Sequence, residues 1–422
     1  MAREMRNSGI EWVGEMPASW KVNTAFQFFS QVKNKNTDMQ EKNLLSLSYG
    51  KIKRKDIDTT DGLLPESFDG YNIIEANDIV LRLTDLQNDH KSLRVGLATE
   101  RGIVTSAYLT LRNQSDSLAK YLYYYLHAFD ISKGFYGMGA GVRQGLNWDG
   151  IKWLKILTPS IQEQKKIVEL LDNECSRIES VIEQTRASID DYKRLKQATI
   201  ATAVTKGIRS NRQMKDSGIE WVGEMPEEWE SINPKALFSQ RKDKAKAGER
   251  QLTASQQFGV IYQDEYMKKT GNKIVTVEKD FDILKHVEVG DFVISMRSFQ
   301  GGLEYSNKSG SISSAYVMLV PNLNRVFPRY YRWLLKSSVY INALQSTTNM
   351  VRDGQAMRYA NFVKVRLIFV PLEEQKEIAD YLDEKCVAMD KLIEQKEQLI
   401  VEMDNYKKSL IYEYVTGKRE VM

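Results

Sequence analysis

Two stretches of this chain return apolar residues at steps of three and four for more than forty residues each. Between Pro159 and Gly207 no glycine interrupts the run, and Ile167, Leu171, Ile178, Val181, Ile182, Ile189, Tyr192, Leu195 and Ile200 fall on or beside one stripe. Between Pro371 and Gly417 the same spacing picks out Ile378, Leu382, Met389, Leu392, Leu399, Met403, Tyr406 and Leu410, with Lys385 and Lys396 on the same line. A narrow apolar stripe on a charged helix buries a seam against one partner. The pattern predicts two helices of about 45 residues, rods of roughly 65 Å, that bury their seams on each other.

Outside the rods the pattern is mixed. Leu44–Ser48, Ile79–Leu83 and Ile103–Leu111 are strand-like runs of branched and apolar residues bounded by Gly, Asn and Asp. Tyr121–Phe129 predicts a short aromatic helix, Gly134–Gly145 a glycine-rich loop, and Ile151–Leu157 a last strand before the first rod. The predicted fold class is mixed α+β (α/β): a globular domain over 1–158, a spacer helix over 159–207, a second domain over 208–370 and a second helix over 371–418.

The decapeptide SGIEWVGEMP at Ser8–Pro17 returns unchanged at Ser217–Pro226, 209 residues later. Solenoid repeats have periods of about 20 to 50 residues, so here a whole domain is duplicated. TSAYLTL at Thr105–Leu111 is answered by SSAYVML at Ser313–Leu319, and Val142, Arg143 and Gly145 by Val351, Arg352 and Gly354. The decapeptide suits either a docking surface or a clasp in which Trp12, Val13 and Trp20 pack on the rest of their unit. Polar loops are where the halves disagree. Tyr49–Gly62 has no counterpart resembling it, the second half offering Ser239–Gln251 instead, and Leu83–Arg94 faces Ser298–Gly310. Similar scaffolds with different surfaces suit a molecule that reads two different things at a set distance.

Composition narrows this only mildly. Hydrophobic content of 42% and charged content of 27% are ordinary for a soluble globular protein. A net charge of +4 and a pI near 8.6 neither demand nor exclude nucleic acid. The two cysteines, Cys175 and Cys386, sit at matching places near the two helix starts, where an antiparallel pairing does not join them, and read as buried thiols. With no apolar targeting segment at its start and no apolar run of about 18 residues, the chain is expected to be cytoplasmic and without a membrane partner.

Groups for catalysis are scarce. His90, His127 and His286 form no zinc-binding spacing, no phosphate-cradling GxxxxGK[ST] run occurs, and Gly137, Gly139 and Gly141 stand between a helix and a strand, the wrong order for a cofactor fingerprint. The expectation is a binding protein with no catalytic residue, metal or cofactor of its own. Double-stranded DNA fits the loops better. Lys51, Lys53, Arg54 and Lys55 cluster beside Tyr49, and Arg241, Lys242 and Lys244 head a second basic run. Such groups neutralise phosphates, although a charge run also serves as a merely solvated face. Gln87, Asn88, Gln144, Gln256, Gln257 and Gln300 are candidate base readers, with Arg82, Lys91, Arg94, Arg297 and Arg358 as further contacts. Arg143 and Arg352 are the best placed, because both halves set an arginine at one point of a glycine-flanked loop.

IEWVGEMPASW and IEWVGEMPEEW opening the two halves, and the P-x-x-EQ-x-x-I-like elements at Pro159–Ile167 and Pro371–Ile378, resemble the specificity subunits of type I restriction-modification systems over essentially the whole chain. The second element is one residue shorter before its Glu-Gln pair, and neither has the usual double proline. The resemblance implies two target recognition domains, each reading half of a split DNA sequence, held apart by the two long helices packed as an antiparallel coiled coil. It implies no activity in this chain; two modification subunits using S-adenosylmethionine, and restriction subunits using ATP and Mg2+, would be its partners. Lys385 and Lys396 could face Glu174, Asp190 or Asp191 and fix the helix register, or simply snorkel at a wet edge.

Overall fold

The computed structural model describes residues 3–58, 67–89, 91–138, 145–274, 276–277, 283–296, 298–347 and 357–421. Contacts divide the chain into two units, Met1–Thr185 with Gln398–Met422, and Arg186–Glu397. The long helices span Ile161–Lys206 and Leu372–Val415, so each unit owns the first part of one and the last part of the other. No helix among the described residues is long and apolar enough to cross a membrane.

Both units are built to one plan. In the first, a four-stranded antiparallel sheet runs in the order Phe29–Gln31, Leu109–Asn113, Ile79–Leu81, Val95–Leu97. In the second the order is Phe238–Arg241, Val317–Pro321, Phe292–Ile294, Glu304–Tyr305. The inner strands are buried on both faces, which is why they read as continuous apolar runs and not as alternation. Ile103–Leu111, expected as one strand, is two: Gly102–Val104 pairs with Asn72–Ile74, and a turn at Tyr108 leads into Leu109–Asn113. The aromatic helices are Ala119–Ile131 and Pro328–Leu334, and their buried tyrosines close each core.

The repeated decapeptide is a clasp. It forms the hairpins Met5–Asn7 with Glu15–Pro17 and Met214–Asp216 with Glu224–Pro226, and brings Trp20 and Trp229 onto the start of a long helix. Trp20 Nε1 donates to Glu163 at 2.9 Å, and Trp229 Nε1 donates to Glu374 at 3.0 Å. Each carboxylate also takes an arginine, Arg3 in one unit and Arg212 in the other, lying against its tryptophan ring. The neighbouring glutamine works on the backbone. Gln164 accepts the Leu118 N–H and donates to the Pro159 carbonyl; Gln375 accepts the Phe327 N–H and donates to the carbonyls of Val370 and Arg325. The glutamines thus satisfy backbone groups at a helix entrance that packing would otherwise leave unpaired. In both units the accepting carbonyl lies five residues before the glutamine, so the two elements superpose at an offset of 211 and the one-residue mismatch is only a displaced proline.

The far end of the other helix meets the same clasp. Gly417 lies against Pro17 and Trp20, and Gly207 against Trp229 and Glu374; both have positive φ, and a Cβ at either would collide with these neighbours. Tyr121 and Tyr330 each point a hydroxyl at a carbonyl of that arriving helix, Val415 at 3.4 Å and Val204 at 3.0 Å.

Within each unit the helix segments run antiparallel. Ile167, Leu171, Ile178, Ile182, Ile189, Ile378, Leu382 and Leu410 are buried on the seam, and Met389 and Met403 are half-buried. Leu392, Leu399 and Tyr406, expected there, are 39, 36 and 47% exposed, and Val181 and Leu195 also face outward. The second helix instead steps through Cys386, Met389, Ile393, Lys396, Ile400, Met403, Lys407, Leu410 and Tyr414. The two lines share alternate positions and differ by one residue at the others. Lysines at seam positions bury their stems and keep their heads wet, so the apolar neighbour beside each misleads the phase. Register is held by Lys407 with Glu179 (2.5 Å) in the first unit and by Lys196 with Asp390 (2.6 Å) in the second. Lys385 is exposed, Lys396 lies over the Tyr192 ring, and Glu174 and Asp191 pair with arginines on their own helix, so the expected lysine–carboxylate register pairs are replaced by these. Cys175 and Cys386 are free and buried, and burial pushes the Cys175 thiol up to about 11.

Glu374 is almost fully buried with its two partners, whereas Glu163 is about a quarter exposed. Removing one member of a buried pair strands the other, so Glu374→Ala is expected to destabilise its unit by about 3 kcal/mol and Glu163→Ala by about 1 kcal/mol. Urea unfolding followed by tryptophan fluorescence measures both; equal losses would refute the burial argument.

Candidate nucleic-acid interface

In the first unit the strands Leu45–Ser48 and Lys51–Arg54 form a hairpin whose two-residue turn is Tyr49-Gly50. Both turn residues have positive φ, the geometry that matches the twist of a tight hairpin, and Tyr49 is left 74% exposed at the tip. Gly50 lies on Leu93 and His127, and Gly96 on Leu47 and Ile52, so the hairpin is seated on the segment after the central strand and on the aromatic helix. Of the basic cluster, Lys51 is tied to Glu179 at 2.5 Å and Arg54 to Glu100; Lys53 and Lys55 reach solvent with no side-chain partner among the described residues.

Beside the hairpin tip runs the segment 82–94. Leu86 is buried beneath it while Gln87, Asn88 and Lys91 are exposed, Asn88 donating to Asp85 at 2.7 Å. Arg82 approaches Asp89 at 3.7 Å. Hydrogen bonds from Ser92 hold the Asp89 carboxyl down to about 2. The Leu146 N–H donates to the Leu83 carbonyl at 2.9 Å, which brings the end of the glycine-rich loop to the same place. Arg94 is not a surface contact. It is fully buried, and its guanidinium donates to the carbonyls of Arg82, Thr84, Asp85 and Asp89. A sequence cannot show that a cation's own loop will consume all its donors.

The second unit repeats the plan with other side chains. The hairpin Leu252–Ser255 with Gly259–Tyr262 is the counterpart of the Tyr49 hairpin, which corrects the expectation that Ser239–Gln251 takes that place. Parallel bridges from the residue before each hairpin, Leu44 to Ile103 and Gln251 to Ser311, fix the equivalence. Gln256 and Gln257 are exposed at the tip, and Gln256 packs on Gly301 of the one-turn helix Ser298–Gly301, which exposes Gln300. Asn361 donates to the Thr347 carbonyl at 3.2 Å, and Arg358, three residues before it, is exposed. Lys242 and Lys244 are exposed. Arg241 instead pairs with buried Asp291 at 2.6 Å and with Asp243 at 3.0 Å, and those hydrogen bonds, Asp291 first, raise its pKa. Its role is to hold the sheet, and the expected phosphate contact there is corrected. The candidates Arg143, Gln144, Arg297 and Arg352, and also His90, lie outside the described residues. The sequence pattern did not single out Phe258 and Lys269, which sit together beside the second tip with the lysine 5.3 Å from the ring centroid. The alternating run before Gly259 was the available signal.

Free lysines and structural arginines should behave differently. Lys53→Ala in the assembled protein is expected to lower the slope of log affinity against log salt on duplex DNA by about 0.9, whereas Arg241→Ala leaves the slope unchanged and destabilises its unit by about 3 kcal/mol. Anisotropy titrations over a salt series, with melting curves, separate the two. A second test concerns His127, buried under the hairpin tip with Nδ1 unpaired. Burial first, then Lys407, push its pKa from 6.5 down to about 4, so the unfolded chain takes the proton first. Stability is full above pH 6.5 and falls by about 3 kcal/mol as pH drops toward 4; His127→Leu should abolish that part of the slope in urea titrations.

No protein-family model matches the chain. It is 24% identical over 436 aligned positions, 97% of this chain and 96% of the other, to a protein of Methanocaldococcus jannaschii assigned as the specificity subunit of the type I restriction enzyme MjaX. Among solved structures, a chain from a study of the assembly and conformational transition of a type I restriction-modification system matches at a TM-score of 0.68, with 14% identity, covering 96% of this chain and 99% of that one. The HsdS subunit of Thermoanaerobacter tengcongensis matches at 0.52, with 12% identity and coverage of 96% and 98%. In sequence and in fold along nearly its whole length, the chain is thus similar to the specificity subunits of type I restriction-modification systems.

Proposed function

We propose that this chain is the specificity subunit of a type I restriction-modification complex and reads a bipartite double-stranded DNA target, one half with each unit. The observation that carries this reading is that the two units present the same two elements with different side chains. These are a hairpin tip and a segment after the central strand; Tyr49, Gln87 and Asn88 occupy them in one unit, Gln256, Gln257 and Gln300 in the other. One scaffold with two surfaces reads two different short sequences, and linkage raises the combined affinity through effective concentration. Two helices of 46 and 44 residues set the unread spacer.

The chain directs chemistry and does none itself. Adenine methylation, with S-adenosylmethionine, belongs to two modification subunits, and ATP- and Mg2+-dependent restriction to further partners. Val181, Leu195, Val387, Leu399 and Val401, apolar yet exposed on the long helices, support partner docking there.

Mapping methylated adenines in cells that carry this chain with its modification partner should give two short words around a fixed gap. A single uninterrupted word, or none, would sink the reading in favour of an adaptor outside restriction. Replacing Gln256 and Gln257 by alanine should relax one word only, by about 1–3 kcal/mol per lost base contact.

A further inference from the structure

Arg94 has no exposed surface, yet its charge lies at the edge of the face described above. Its Nη1 donates to the Arg82 and Thr84 carbonyls at 3.0 and 2.8 Å, and its Nη2 to those of Asp85 and Asp89 at 3.3 and 2.5 Å. Its Nε donates to the Tyr136 hydroxyl at 3.1 Å, and that hydroxyl donates to the Asp89 carbonyl at 3.2 Å. The Arg94 backbone N–H is held by Asp130 at 2.6 Å. One guanidinium therefore fixes both ends of a short arc that displays Gln87 and Asn88. The arc includes Asp85 at a φ of +57°, a left-handed conformation that Asp tolerates better than most side chains.

We propose that Arg94 is a positioning residue for sequence choice: it fixes the arc that carries Gln87 and Asn88 and so helps select bases without touching DNA. The inference rests on the functional reading above. A buried cation without its carbonyls costs several kcal/mol, and an arc without the cation has four carbonyls released, so each keeps the other in place. A reader held in one geometry loses less freedom on binding and pays a larger penalty for a wrong base.

The second unit solves the same problem with different residues. Glu304, buried on the strand Glu304–Tyr305, accepts Lys336 Nζ at 2.9 and 2.7 Å, and that ammonium lies 3.4 Å from the Gln256 carbonyl at the hairpin tip. In one unit the cation stands just before the strand Val95–Leu97; in the other the carboxylate lies on its counterpart, Glu304–Tyr305. In both, a cation between sheet and helix donates to the backbone of a reading element.

The test uses the chain assembled with its modification subunits, on duplexes carrying the mapped target or one mismatch in either half. Arg94→Lys keeps the charge and loses the planar fork. Expected is a loss of about tenfold in discrimination at one half-site, with the other half-site and the salt slope unchanged. In Arg94→Gln, which also removes the charge, a salt slope lower by about one would mean direct phosphate contact and overturn the proposal. So would equal loss at both half-sites, or a lowered melting midpoint with discrimination intact. Should Arg94→Lys fail to fold, Tyr136→Phe removes only the bridging hydroxyl; a loss of about threefold at the same half-site is expected, and no change overturns the proposal. A wild-type complex without two half-sites overturns the functional reading and this inference with it, whereas a discriminating wild type beside an equally discriminating variant overturns this inference alone.

Discussion

The contact on which the rest depends is the glutamate–glutamine pair at the start of each long helix. Glu163 and Glu374 gather an indole N–H and a guanidinium from the opening hairpin, while Gln164 and Gln375 take up backbone groups from the globular part. A carboxylate in the first turn is also favoured by the helix dipole. The end of the other helix, with its glycine and the carbonyl that a buried tyrosine meets, packs into the same corner. Hairpin, sheet, helix start and helix end therefore share one small set of hydrogen bonds. A long rod fixed at such a corner enters its unit at a defined angle.

The sheets show how much of the framework can vary around such a fixed point. Asp78 and Asp291 are equivalent buried acids that each accept the N–H three residues back, closing a tight turn. Each needs a cation, and Arg112 supplies one from the strand Leu109–Asn113 while Arg241 supplies the other from the strand Phe238–Arg241. These are neighbouring, non-equivalent strands of one sheet plan. The acid is fixed by the turn it closes; the cation is free to come from any strand within reach. The same logic separates the Arg94 and Lys336 solutions near the reading faces.

Much of this architecture was legible in the chain itself. Two uninterrupted helical stripes, an identical decapeptide and a repeated Glu-Gln element gave the plan, because helix period and duplication are properties of spacing. What spacing could not give was phase and destination. Lys407 is a seam residue although it is charged, since its stem packs and its head pairs with Glu179, so Tyr406 beside it took the seam assignment by hydrophobicity. Arg94 and Arg241 were counted with the surface cations, since a sequence lists donors and not the carbonyls and carboxylates that fold around them. Gln256 and Gln257 stand out in the sequence as candidate readers, but the hairpin they tip does not, and Ser239–Gln251 is set opposite the Tyr49 loop in its place. Register in a sheet is set by pairing partners far away in the chain, here Gln251 with Ser311.

These misplacements share a cause that bears on how such a protein could change what it reads. Residues that touch solvent at the tips, such as Tyr49 and Gln257, carry little of the packing, while the cations beneath them carry the geometry. A substitution at a tip alters a contact and leaves the fold alone. A substitution at a buried cation changes no exposed side chain, yet moves several backbone groups together, because every carbonyl it held must find another donor. If the tips read DNA as proposed, one unit has two routes to altered sequence choice, one through the exposed side chain and one through its support. The second is the costlier, since the desolvated charge remains to be satisfied whatever base lies opposite.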